Sequence, residues 1–181
     1  MNINTFNDPI LKKKCDSIHK FDNELKQLII DMFYTMYNDD GVGLAAPQIG
    51  KSIKLFVTDH TANTDNKSPM IFINPNISFG EIKDIQDEGC LSFPGAIVKV
   101  ERSIQINVEY QNLYAEHKEL TANDWLARVI QHENDHLNGV TIGDKISNIE
   151  KSILRKKMKN KFVEKISKDN VKHILMKANI L

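Results

Sequence analysis

The segment Gln131-His132-Glu133-Asn134-Asp135-His136-Leu137-Asn138-Gly139 constrains the fold most. On a helix, residues four apart leave the same face one turn apart, so His132 and His136 can share one cation while Glu133 stands beside them as a base. Such a helix must pack against another element that supplies the remaining ligands. Its limits are legible: Thr121 with Asp124 marks a start, and Gly139 marks the stop. Trp125, Val129, His132 and His136 form one stripe, which Leu126, Ile130 and Leu137 widen into a buried side.

The third ligand has to come from elsewhere in the chain. In the metzincin extension H-E-x-x-H-x-x-G-x-x-H, Gly139 falls in place, but the last position is Ile142, which cannot bind metal. Downstream glutamates are limited to Glu150 and Glu164, both in a strongly basic, surface-like segment, so the ligand is expected upstream. Cys90 in Glu88-Gly89-Cys90-Leu91-Ser92-Phe93-Pro94-Gly95 is the best candidate. Gly89 and Pro94 bracket it and predict a bent backbone that presents the sulfur and a free N–H to one point. The competing reading is an inert buried cysteine, the commoner fate of a lone thiol.

A third stretch, Gly41-Val42-Gly43-Leu44-Ala45-Ala46-Pro47-Gln48-Ile49-Gly50, has small residues that let backbone approach a ligand, and Gln48 offers a side-chain amide at its end. It reads either as an edge lying along a substrate or as a tight turn packed on a helix. It is not a dinucleotide fingerprint, because Leu-Ala-Ala follows the G-x-G.

Around these stretches the chain of 181 residues reads as one α+β domain. A largely antiparallel sheet is packed around the central metal-motif helix, with an N-terminal and a C-terminal helix added. Asp22 caps a helix carrying Leu25, Ile29, Met32, Phe33 and Met36, a core stripe that ends at Asp39-Asp40-Gly41. Strands are expected at 53–58, 70–74, 96–100 and 104–110, the last with a hairpin partner at 114–120. Residues 1–20 read as an irregular arm whose Lys12-Lys13-Lys14 run is a solvated face.

Charge is balanced overall but unevenly placed. Residues 150–181, a basic C-terminal helical tail, hold ten Lys and Arg against three acids. The two cysteines, Cys15 and Cys90, form no disulfide framework, and no apolar run is long enough to span a membrane. A reducing, cytoplasmic location is expected, or an organelle if a targeting segment has been removed. Neither a membrane nor DNA is an expected partner.

Taken in order, G-V-G-L-A-A-P-Q, E-G-C-L-S and Q-H-E-N-D-H-L-N-G resemble the three signature motifs of the peptide deformylases, over essentially the whole chain. The resemblance implies that Cys90, His132 and His136 hold a catalytic metal, Fe(II) in the working enzyme, with Zn(II), Ni(II) or Co(II) able to occupy isolated protein. It implies Glu133 as general base and acid, and Gln48 and the Leu91 backbone N–H as oxyanion donors. The substrate it implies is the formyl-methionine end of a nascent polypeptide, and the products are formate and a free amine.

The small residues Gly43 and Ala45 would help cramp the space around the formyl carbon, Val42 and Gly43 would contact the substrate, and Trp125 and Val129 would line the methionine slot. Glu88 and Ser92 would orient the ligand loop. The basic tail would draw the enzyme to ribosomal RNA. Two positions depart from well-known bacterial members: Ile97 where many carry arginine, and Gln86 where an apolar pocket residue is common. A metal-dependent peptidase and a catalytically silent peptide-end or ribosome binder are the alternative classes. The first would cut unformylated peptides, and the second usually lacks a ligand or the glutamate, all of which are present here.

Overall fold

The computed structural model describes residues 1–146 and 167–181. Helix α1 (Asn23–Asn38) starts where predicted, with the Asp22 carboxylate accepting the Leu25 N–H at 2.9 Å. Its stripe of Leu25, Ile29, Met32, Phe33 and Met36 is buried in one core cluster with Leu44, Leu55, Val57, Ile71 and Ile73.

Seven strands follow: β1 (Gly43–Ala45), β2 (Leu55–Thr58), β3 (Met70–Phe79), β4 (Lys83–Cys90), β5 (Phe93–Ser103), β6 (Gln105–Gln111) and β7 (His117–Asn123). Five form an antiparallel sheet in the order β1-β2-β3-β6-β7, and β4 and β5 form a separate two-stranded sheet. Helix α2 (Asp124–Leu137) lies between them. Ala127, Ile130 and Leu137 on α2 share a second cluster with Phe56, Phe72, Ile106 and Val108 of the five-stranded sheet. Helix α3 (Lys168–Lys177) returns to α1, burying Val171 and Leu175 in the first cluster, and Lys168 bonds Asp31 at 2.6 Å.

Several expectations are corrected. No Thr121 cap starts α2: Asn123 precedes the helix without a side-chain cap bond, and Thr121 lies in β7, donating to Asn107 across the sheet at 2.8 Å. The cross-strand neighbour competes successfully for the hydroxyl. The inward stripe of α2 begins a turn later than expected, because Trp125 is 44% exposed while Val129 is 4% exposed. Strand β4 went unpredicted because alternating charges hide its period of two, and β3 and β5 run past their expected ends.

The cysteine segment is a hairpin rather than a free bent loop. Glu88–Cys90 ends β4, Cys90 pairs with Phe93, and the pairing shifts register at Gly89. The left-handed glycine there is Gly95, at φ 75°.

The N-terminal arm is also more ordered than its composition suggests. Leu11 is fully buried, Cys15 N–H donates to the Leu137 carbonyl at 2.9 Å, and Lys12 pairs with Asp144 rather than facing only solvent. This clamp at the end of α2 depends on Gly139, which has φ +73° and whose added Cβ would lie 2.6 Å from the Lys12 carbonyl oxygen.

Gly139→Ala is therefore expected to destabilise the protein by at least about 1–3 kcal/mol, the strain of a left-handed residue with a Cβ, read as a lowered urea midpoint at unchanged slope.

Candidate metal centre

His132 and His136 come from α2, Cys90 from the end of β4, and their ligand atoms all lie within 4.8 Å of one another. Cys90 Sγ is 3.3 Å from His136 Nε2. Both cysteines are free, so no disulfide diverts Cys90.

Glu88 fixes the ring of His132. Its Oε2 accepts from His132 Nδ1 at 3.0 Å and Arg102 Nη2 at 2.9 Å, and its Oε1 accepts from Arg102 Nε at 2.9 Å and Arg128 Nη1 at 2.7 Å. With Nδ1 donating, His132 Nε2 is left as the free lone pair that a metal ligand needs. Burial alone would push the Glu88 carboxyl up, but the bonds from Arg102 and His132 hold it well below the usual carboxylate range. Arg102 also donates to Asp135 at 2.5 Å, tying β5 back to α2.

Gln48 and Ser92 form the opposite wall. Gln48 Oε1 accepts the Ala45 N–H at 2.8 Å, while Nε2 contacts Ser92 Oγ at 3.2 Å and Cys90 Sγ at 3.7 Å. The glycine-rich stretch is strand β1 followed by a tight 3-10 turn, and that turn delivers Gln48 to the thiol. Leu91 follows Cys90 in the hairpin turn with its side chain on the first core cluster. The Val42 carbonyl accepts from Asp59 N at 2.8 Å, which anchors the approach to β1.

Glu133 is buried beside the paired histidines, only 4% exposed. Burial raises its carboxyl to about 7. Its Oε2 is buried with no hydrogen-bond partner among the described residues. Gly43 packs directly on it: an added Cβ would stand 2.3 Å from Glu133 Oε1.

The residues present fit a divalent cation. Burial and neighbouring His132 hold the His136 imidazole well below its ordinary range, which keeps it neutral and able to ligate. A sulfur with two imidazoles is a donor set of borderline softness, suited to a first-row transition ion and leaving a fourth position open. The sulfur and the Glu133 carboxylate supply the negative charge that such an ion offsets. Glu88 bonds His132 and Ser92 bonds Gln48 within this framework. Sequence reasoning missed Arg102 and Arg128, although the alternation of Val98, Val100 and Arg102 along β5 marks Arg102 as facing inward.

A cysteine and two helical histidines beside a buried glutamate, between an antiparallel sheet and a hairpin, define a metal-dependent hydrolase of α+β architecture. The family model described as polypeptide deformylase matches residues 1–152. The chain is 46% identical over 157 residues to the peptide deformylase of Thermotoga maritima, covering 86% of this chain and 93% of that one. Its fold is similar to the crystal structure of the Thermotoga maritima enzyme, with TM-score 0.75 and 47% identity over 80% of this chain and 96% of that chain. It is also similar to a peptide deformylase from Legionella pneumophila, with TM-score 0.81 and 34% identity over 96% of each chain. The protein belongs to the peptide deformylase family.

Gly43→Ala should leave metal content at wild-type level while turnover falls on the order of 100-fold, the consequence of pushing Glu133 by about an ångström. Metal analysis alongside formate assays checks it.

Proposed function

We propose that this chain hydrolyses the formamide at the amino end of newly made polypeptides, releasing formate and a free methionyl amine, as one folded unit with a basic tail. The observation that carries the reading is the convergence of Cys90, His132 and His136 beside buried Glu133. Burial of Val171 and Leu175 against α1 supports treating the C-terminal helix as part of that unit.

Cys90, His132 and His136 would hold one cation, Fe(II) in the working protein, with Zn(II), Ni(II) or Co(II) able to substitute. When bound, the cation supplies Lewis acidity, acidifying water and polarising a carbonyl oxygen. Glu133 takes the proton of the attacking water on its carboxylate and later delivers it to the nitrogen of the leaving amine. The Gln48 amide is preorganised for the oxyanion, since its Oε1 is held by Ala45 N–H and its Nε2 faces the thiol side. The Leu91 backbone N–H supplies the second donor.

Strand β1 lies at the edge of its sheet, so Gly43 and, just before the strand, Val42 run alongside the substrate, and the missing Cβ of Gly43 leaves room for Glu133. Buried Val129 lines the methionine slot, with half-exposed Trp125 at its mouth. Glu88 and Ser92 orient the ligands through His132 and Gln48.

The site of action is the cytoplasm, where chains are made. No helix among the described residues is long and apolar enough to cross a membrane. Lys151, Arg155, Lys156, Lys157, Lys159 and Lys161 lie outside the described residues; their charge is the reason to expect attraction to ribosomal RNA.

Fe(II)-loaded protein prepared anaerobically should release formate from formyl-Met-Ala-Ser and leave the unformylated peptide intact. One bound metal per chain with no formate would overturn the reading. Glu133→Gln should keep the metal and lose on the order of 10²–10⁴ in turnover. Replacing the six tail cations by glutamine should abolish co-sedimentation with ribosomes at low salt; unchanged sedimentation sinks the RNA role.

A further inference from the structure

Two of the three ligands leave one helix, and their mutual spacing is set by helix geometry. The third sits on a hairpin that forms its own sheet, hydrogen-bonded by no strand of the five-stranded one. The soft coordinate of the metal centre is therefore the placement of that hairpin against α2.

Among the described residues Arg128 makes more hydrogen bonds across this seam than any other side chain. It is 2% exposed, and its Nη1 donates to Glu88 Oε1 at 2.7 Å and to the Val100 carbonyl at 2.9 Å. Its Nη2 contacts the Asp84 carboxylate and, at 3.3 Å, the Asp84 carbonyl. All four acceptors lie on β4 or β5, so a helix residue directs these bonds wholly to the hairpin. His132, one turn further along α2, takes the other oxygen of the same Glu88 carboxylate at 3.0 Å. Glu88 is thus gripped at two points from the helix, two residues before Cys90, and the hairpin cannot pivot about a single bond.

Arg102 plays a different part. It stands on β5 and grips Glu88 on β4, which fastens the two strands of the hairpin to each other, and reaches α2 only through Asp135. Arg102 also crosses the helix–hairpin seam to Asp135, and Gln131 crosses it to the Ser103 backbone, but among the described residues Arg128 is the α2 side chain that bonds both strands of the hairpin. A buried ion network of this kind gains little stability over a well-packed apolar residue of the same size, because desolvation offsets the attraction. Direction is what an apolar residue could not supply.

We propose that Arg128 is a positioning residue for the metal centre, holding the β4–β5 hairpin, and with it the Cys90 sulfur, at the distance from His132 and His136 that three ligands on one cation require. This rests on the reading of Cys90, His132 and His136 as the ligands. Among the described residues, the hydrogen bonds of Arg128 go to none of the three ligand side chains. It acts through Glu88, Asp84 and the Val100 carbonyl.

The test compares cobalt-loaded wild type with Arg128→Met, Arg128→Lys, Asp84→Ala and, as a control for general destabilisation, Leu175→Ala, which opens the core between α1 and α3 far from the hairpin. Readouts are the rate of cobalt loss to a chelator, the sulfur-to-cobalt charge-transfer band, and the melting temperature of the metal-free protein. Arg128→Met should lose cobalt on the order of 10–100-fold faster than wild type and weaken the charge-transfer band. Arg128→Lys and Asp84→Ala should fall between, and Leu175→Ala should keep the wild-type rate and band even where it melts as low as Arg128→Met. If Arg128→Met does not fold, the same ordering of Arg128→Lys and Asp84→Ala against Leu175→Ala decides. Cobalt loss that follows melting temperature across all variants means a merely structural arginine and overturns this inference alone. A wild type that binds no cobalt overturns the ligand assignment first, and this inference with it.

Discussion

One buried carboxylate ties the helix that carries two of the ligands to the hairpin that carries the third. Glu88 is 4% exposed and has both oxygens doubly bonded, by two guanidiniums and one imidazole. A lone carboxylate so placed would protonate rather than stay charged, and this one is kept ionised because its donors replace the water it has lost. Around it the charges close: Glu88, Asp84 and Asp135 face Arg102, Arg128 and Lys145. Burial works against the charged ring of His132, but its bonds to Cys90 and Glu88 hold its pKa well above the ordinary range, so the ring gives up a proton when it ligates a cation.

The division of labour in the fold follows from this. The five-stranded sheet gives α2 a rigid apolar floor through Phe56, Phe72, Ile106 and Val108, with the two phenylalanine rings stacked at 4.7 Å between centroids. Dispersion and burial fix the helix there without direction. Where direction matters, between α2 and the hairpin, polar bonds take over: Gln131 donates to the Ser103 carbonyl and accepts its N–H, and the arginines grip Glu88. One face of α2 is therefore packed and the other is bonded, with the histidines on the bonded side.

The sequence was legible where one residue type has one physical use. The paired histidines, the lone thiol between Gly89 and Pro94, and the Asp22 cap each admit few alternatives, and each stands close to where periodicity and spacing put it. It was illegible where charge carries structure. Strand β4 reads Lys-Asp-Ile-Gln-Asp-Glu-Gly-Cys, mostly polar on both faces, because its inner face is lined with ion pairs instead of hydrocarbon. For the same reason Arg128 is hidden, a charge among the residues of α2, whereas Arg102 is marked only by its phase with Val98 and Val100 along β5. Trp125 misled in the other direction, an aromatic on the inward stripe that the first turn of α2 leaves half in solvent.

That pattern bears on how such a centre is kept specific. The ligands come from two elements that touch no common core cluster: α2 packs with Phe56 and Phe72, while the hairpin packs Phe93, Ala96, Val98 and Val100 with Ile142. Two separately packed bodies joined only by apolar contact could slide by fractions of an ångström at little cost, and the distance between a sulfur and two imidazoles would wander with them. Saturating one carboxylate from both bodies removes that freedom. The desolvation of two arginines and an acid is then spent on geometry, which explains why the buried arginines among the described residues both lie beside the ligands.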